Sequence, residues 1–197
     1  VAGYSVWAFR MSYAGELGWE LHMPFAAMQD VYAALWQAGE AHGIADYGSF
    51  AMNVMRMEKG FKGAGELTNE VTLAEADVLR FARTVKDYLG RDKTLNTDLP
   101  WVCAYLEVEP DGEIDGHGGE AVTLDGAVVG STASVVYGHT VGKILAFAYI
   151  KPHAAKPGTA LEVTIHGKPR AARVLGEAAY DPQSLLPRAD TVRVPAE

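Results

Sequence analysis

The chain has 197 residues, 49% apolar and 21% charged, with a formal net charge of −8. Ordinary globular composition supports a buried core, and the acidic balance argues against nucleic acid as a main partner, since phosphate binding needs a basic face. No apolar run approaches the roughly 20 residues a membrane-crossing helix needs, and a single cysteine, Cys103, excludes an internal disulfide and any cysteine-cluster metal site.

The first ten residues lack a signal peptide's basic end and cleavage site and already alternate as a strand does, which points to a segment of a longer chain. Tyr4–Ser12 reads as that strand. Tyr13-Ala14-Gly15-Glu16 breaks it, and Trp19–Met23 reads as a second strand, with Trp19, Leu21 and Met23 on one face and Glu20 and His22 on the other. Pro24 suits the first turn of a helix. Phe25, Met28, Tyr32, Leu35 and Trp36 follow at helical spacing, and Gly43 ends the segment. A second helix is expected from Ser49, as N-cap, to Gly60. Thr72 and Glu75 have capping-box spacing and predict a third helix through Ala82.

From Trp101 the character changes: Gly, Val and Thr rise and helical periodicity fades. Strands are expected over Trp101–Glu109, Ala121–Leu124, Val128–Gly130, Val141–Ile150, Ala160–His166 and Ala171–Leu175. Asp125-Gly126 is a hairpin signal, and His166-Gly167-Lys168 is a turn. Short strands with glycine turns suggest a small barrel or sandwich. The fold class is therefore α+β, with a mixed part at 1–96 and a β part at 97–197.

Glu16 and Glu20 flank the glycine turn. A carboxylate there can accept two adjacent N–H donors from an amide-like ring edge, such as a pterin's. The plain alternative is two solvated turn residues, one of them paired with Arg10. Arg56-Met57-Glu58-Lys59-Gly60 ends an otherwise apolar helix with three charges. Arg56 lies near the apolar face and must be paired if buried, as a site cation or a structural salt bridge. Lys59 can complement the helix dipole. Arg80, Arg83 and Lys86 form a local basic stretch, either a contact for a polyglutamate tail or a solvated face. The six histidines have no metal-ligand spacing, no serine has a GxSxG setting, and no GxGxxG follows a strand. Gly116-His117-Gly118-Gly119 precedes a strand rather than a helix, so it reads as a barrel turn and not a phosphate loop. Cys103, within an apolar strand, reads as an inert buried thiol.

Taken in order, these segments resemble the glycine-cleavage T-proteins. Ser12 to His22 resembles their YTGE-type segment. Tyr47 to Phe61 resembles the segment that runs through LRxEkG, Gly65 to Thr72 continues in register, and Asp87 to Arg91 resembles a third segment. Val129 to Ser134 resembles a strand pair of the same family. Tyr137 to Lys143 and Tyr180-Asp181-Pro182 resemble the dimethylglycine/sarcosine dehydrogenase branch in particular.

The resemblance implies the middle α+β part of an aminomethyltransferase fold, incomplete here, followed by a C-terminal β-barrel. It implies tetrahydrofolate as cofactor, with Glu20, Glu16, Tyr13 and Arg56 as binding residues; the residue spacing itself gives no metal site. The resemblance places FAD only in an upstream domain, against which this part would pack. There an N-methyl amine of the dimethylglycine or sarcosine type is oxidised, and tetrahydrofolate takes the one-carbon unit as 5,10-methylenetetrahydrofolate. The family's catalytic Asp also lies upstream, so the chain alone is expected to be inactive. The expected compartment is the cytoplasm, or the mitochondrial matrix in a eukaryote. Met52 stands where T-proteins carry a second Arg, Ala64 where an aromatic is usual, Leu73 where a Pro is common and Ala14 where Thr is usual. These departures motivate the alternative of a non-catalytic folate-binding or structural module.

Overall fold

The computed structural model describes residues 1–82, 85–96, 98–112 and 116–188. The chain divides into two compact units. One comprises Val1–Asn53 with the chain from Gln183 onward, the other Val54–Pro182.

In the first unit, β1 (Trp7–Phe9) pairs antiparallel with β2 (Glu20–His22), matching Trp7 to His22 and Phe9 to Glu20. Both strands are shorter than the alternation suggested. A turn closed by Tyr4 N–H to Val1 O precedes β1, and Met11 N–H bonds Phe9 O directly after it, so local turns take the backbone groups a longer ladder would use.

Helix α1 (Met28–Gly39) follows a 3₁₀ turn, Phe25–Ala27, capped by Pro24. A second 3₁₀ turn, Glu40–His42, ends at Gly43 with φ +70°. Ile44 N–H bonds Gly39 O and Gly43 N–H bonds Glu40 O, the Schellman pairing that closes a helix. The expected apolar face forms but stays uncovered: Phe25 is 85%, Met28 51% and Tyr32 53% exposed, while Ala27 and Val31 are buried.

Helix α2 (Ser49–Glu58) begins at Ser49 itself, one residue earlier than an N-cap assignment allows. It ends in a second Schellman pairing, Phe61 N–H to Arg56 O and Gly60 N–H to Met57 O, with Gly60 at φ +67°.

The third expected helix does not form. Its capping box does: Thr72 N–H donates to Glu75 Oε2 at 2.7 Å and Glu75 N–H to Thr72 Oγ1 at 3.1 Å. One helical turn later Asp77 adopts φ +54°. Val78 N–H then bonds Leu73 O and Asp77 N–H bonds Ala74 O. The stop follows the start directly, because Asp tolerates the left-handed conformation. Among the described residues, 3₁₀ residues Leu79–Phe81 and a short helix, α3 (Arg91–Thr94), follow before the barrel.

The remaining strands are β3 (Val102–Val108), β4 (Ala121–Leu124), β5 (Ala127–Gly138), β6 (Lys143–Ile150), β7 (Ala160–Ile165) and β8 (Lys168–Leu175). They close a barrel in the order β3-β6-β5-β4-β7-β8, with every pairing antiparallel. This resolves barrel against sandwich, and closure removes the sheet edges. Asp125 (φ +51°) and Gly126 (φ +79°) make the expected hairpin turn, and His166 and Gly167 make a second of the same kind. Strand β5 runs eight residues past the expected Gly130. Ser131, Ala133 and Ser134 there are weak strand formers, and pairing with β6 carries the strand through them to Val135, Val136 and Tyr137.

The barrel interior is filled by Leu106, Val108, Ile144, Ala146, Val163 and Ile165, among others. A second cluster sits outside β6: Leu145 and Phe147 pack with Met57, Cys103 and Val136. β6 is thus buried on both faces, which is why its sequence is an unbroken apolar run rather than an alternation.

Candidate functional site

The hairpin of β1 and β2 carries three of the four expected folate contacts. Glu20 lies in β2 and is exposed. Its Oε2 meets His22 Nε2 at 3.3 Å, two residues along on the same face, as the strand period requires. The His22 ring stacks edge-on against Phe9 at 4.9 Å, so one face of the ribbon presents Trp7, Phe9, His22 and Glu20. Glu16 is half-buried in the connection and Tyr13 is 44% exposed. Gly15 takes φ +79°. A Cβ at Gly18 would lie 2.7 Å from Ser12 Cβ, so the turn closes too tightly there for any other residue. Arg10 does not pair with either carboxylate; it donates to the Pro187 carbonyl at 2.6 Å.

Arg56, the fourth expected contact, belongs to the other unit and is buried. Its Nη1 donates to Glu66 Oε2 at 2.8 Å and to Phe61 O at 2.9 Å, and its Nη2 donates to Ser134 Oγ on β5 at 3.3 Å. Glu66 is completely buried. It also accepts from Gly63 N–H at 2.6 Å, while Tyr149 Oη donates to its main-chain oxygen at 2.6 Å. Of the two open readings of Arg56, the structure therefore contains the salt bridge, and that bridge binds segment 61–66 to the barrel wall. The bulge between Thr132 and Ser134 lies where this segment arrives.

The neighbouring charges are buried too. Lys59 Nζ donates to Asp181 Oδ2 at 2.8 Å and to Asp181 O at 2.9 Å. Glu58 accepts from Thr140 N–H at 2.7 Å, and its own carbonyl accepts from Tyr180 N–H at 2.9 Å. Complementing the helix dipole is thus not the role of Lys59; it anchors the strand-to-tail segment at Tyr180–Pro182. Sequence reading found the charges and missed their partners. Glu66 and Asp181 both lay inside segments that resemble the family, the one signal that could have singled them out.

The glycine turn at 116–119 holds an anion of the chain's own. Glu120 accepts from His117 N–H at 2.6 Å, from Gly118 N–H at 3.0 Å, and from the Thr132 hydroxyl. Burial opposes its charge, but the Thr132 hydroxyl and these backbone donors outweigh that and hold its carboxyl below the ordinary range. Burial pushes the Cys103 thiol up to about 12, as expected of an inert thiol. It also raises the phenols of Tyr105, which donates to Met57 O, and Tyr149.

Among the described residues no group of three or more His, Cys, Asp or Glu could hold a metal ion. No helix among them is long and apolar enough to cross a membrane. Both sheets are antiparallel, so these residues do not build the crevice at parallel strand ends that receives a dinucleotide in doubly-wound folds. Of the basic stretch, Arg80 lies over the Phe81 ring at 4.8 Å and Lys86 is exposed; Arg83 lies outside the described residues.

Two family models match the chain: the GCVT N-terminal domain over residues 1–86 and the glycine cleavage T-protein C-terminal barrel domain over residues 102–181. Mitochondrial dimethylglycine dehydrogenase of Mus musculus is 34% identical over 185 residues, covering 90% of this chain and 21% of that protein. Mitochondrial sarcosine dehydrogenase of Mus musculus is 36% identical over 163 residues, 79% of this chain and 17% of that protein. An aminomethyltransferase of Cutibacterium acnes is 30% identical over 169 residues, 84% of this chain and 45% of that protein. The chain therefore spans about a fifth of the dehydrogenases and under half of the aminomethyltransferase. The crystal structure of glycine cleavage system aminomethyltransferase T from Bartonella henselae superposes with a TM-score of 0.72 at 19% identity, covering 89% of this chain and 50% of that one. The α+β class and the closed barrel are thus an aminomethyltransferase fold, and the chain belongs to the glycine cleavage T-protein family.

Proposed function

We propose that this region binds tetrahydrofolate and serves one-carbon transfer to it in a protein that breaks down N-methyl amines of the dimethylglycine or sarcosine type. The carrying observation is the β1–β2 hairpin. It presents two carboxylates beside a sterically enforced glycine turn in a chain with T-protein sequence along its length. When bound, the folate supplies the nitrogen that takes the one-carbon unit. Glu20, with Glu16 as its competitor, accepts hydrogen bonds from the pterin edge, and a charge-assisted pair of this kind is worth a few kcal/mol once desolvated. Tyr13 walls the ring by stacking. Arg56 contributes through the loop it holds. On this reading residues 1–96 form the folate-binding part and 97–197 the barrel.

The parent protein supplies the amine oxidation and the flavin. The uncovered apolar residues Trp7, Phe25 and Phe50 supply the surface for packing against its upstream part, since large exposed apolar side chains mark contacts.

Calorimetric titration of the full-length protein with 5-formyltetrahydrofolate tests the reading. Glu20→Gln or Glu16→Gln should weaken binding by tenfold or more, because a neutral amide presents one acceptor where the carboxylate presents two. Affinity within twofold of wild type for both variants would remove the assignment. Absence of binding by the full-length wild type would favour the structural module instead.

A further inference from the structure

Among the described residues of the barrel unit, the buried charges have partners with one exception. Arg56 meets Glu66, Lys59 meets Asp181, and Glu58 takes the Thr140 N–H. Arg170 on β8 is 6% exposed, yet its Nε, Nη1 and Nη2 are all buried and none has a hydrogen-bond partner among the described residues. Burial alternates along β8, so Arg170, Ala172 and Val174 face inward while Ala171 and Arg173 face out. Arg170 pairs across to Val163 of β7, which is fully buried in the interior cluster. On its other side the ladder to β3 ends at Ala172 opposite Val108, with a last bond from Glu109 N–H to Ala171 O. Arg170 thus stands one step past the end of the β3–β8 ladder. The same end carries other basic groups. His166 opens the β7–β8 turn, with the His117 ring edge-on to it at 5.6 Å, and Lys168 pairs with Asp111 at 3.3 Å.

A guanidinium stays protonated in proteins. Buried without a counter-charge it is costly, because desolvation is not repaid. Its donors form a planar fork that matches two oxygens of one anion. We propose that Arg170 is the cationic end of an anion-binding site at this end of the β3–β8 ladder, taking a small oxyanion, a carboxylate or a phosphate, through the guanidinium fork. The site is independent of the folate reading, since it uses neither the hairpin nor Arg56.

Full-length protein, in low-salt buffer without other oxyanions, is titrated separately with sodium formate and with inorganic phosphate, by calorimetry and by thermal unfolding at constant ionic strength. One arm should show saturable 1:1 binding and a saturable rise in Tm, and which arm does so distinguishes carboxylate from phosphate. Arg170→Met should abolish both effects. Arg170→Lys, which keeps the charge and loses the fork, should weaken binding at least tenfold. Lys156→Met, an exposed lysine near the other end of β8, should leave it within twofold. Absence of saturable wild-type binding in both arms overturns the proposal, whether or not the Arg170 variants fold. Equal responses of wild type and Arg170→Met overturn it too, since they reveal a general salt effect.

Discussion

Lys59 and Asp181 are 122 residues apart in the chain and 2.8 Å apart in space, both side chains within the protein interior. The contact ties the turn after α2 to the segment that follows the last barrel strand. Tyr180 N–H repeats the link one residue away, on the Glu58 carbonyl. Removing one partner of such a pair strands the other as an uncompensated buried charge. Asp181→Ala or Lys59→Met is therefore expected to cost about 3–5 kcal/mol. Denaturant unfolding at neutral pH checks it; a loss below 1 kcal/mol would mean that water reaches the pair.

Arg56 and Glu66 should behave as a unit. Arg56→Met alone leaves a fully buried carboxylate and Glu66→Leu alone leaves a buried guanidinium, so each should cost about 3–5 kcal/mol. The double variant should lose clearly less than the sum of the two, because neither charge remains. A double-mutant cycle measures this, and additive losses would show that each group is held mainly by its other bonds.

Glu120 should give stability a pH dependence of definite sign. Its folded-state carboxyl lies below the ordinary carboxylate range, so the contribution is fully present above the unfolded value of about 4.3 and is lost as pH falls through the folded value. Glu120→Gln should lower stability at pH 7 on the order of 1 kcal/mol. It should also flatten the acid limb of a stability–pH profile relative to wild type. Parallel profiles would show that the loop donors do not discriminate charge.

Cys103 should be silent in the folded protein. With its thiol near 12, the thiolate fraction at pH 8 is on the order of one in ten thousand. Alkylation or disulfide exchange should proceed only after denaturation, at one equivalent per chain. Modification of the native protein at the rate of a free thiol would place the side chain at the surface.

The exposed aromatics carry a prediction about the full-length protein. Trp7 is 71% and Phe50 88% exposed here. If the upstream part covers them, Trp7→Ser in the full-length protein should lower the unfolding midpoint, whereas the same change in the isolated chain should be nearly neutral. Thermal unfolding of the two lengths in parallel tests this.

Local physics was readable without the structure wherever one interaction dominated. The turn at Asp125-Gly126 needs two left-handed residues, and its composition announced them. The helix through Met28 to Gly39 showed its spacing and its glycine stop. Misreadings arose where two local signals competed. Thr72 and Glu75 form the capping box that their spacing promised, but Asp77 closes the helix after a single turn, and nothing in the composition of residues 72–82 distinguishes a start from a start followed by a stop. The tail of β5 differs for the opposite reason: Ser131, Ala133 and Ser134 interrupt the local strand signal, and a long partner strand holds them extended.

The sequence by itself determined the class of the protein: an α+β part, then short strands, with carboxylates beside a glycine turn, because these depend on near-neighbour periodicity and turn chemistry. Strand periodicity left barrel and sandwich open, the family resemblance implied the barrel, and the tertiary structure contains it closed. Only the tertiary structure decided that Arg56 and Lys59 find Glu66 and Asp181, and that Arg170 finds no partner among the described residues. Those outcomes depend on which distant groups arrive at one place away from water, where a charge must be matched. Spacing along the chain carries no record of that.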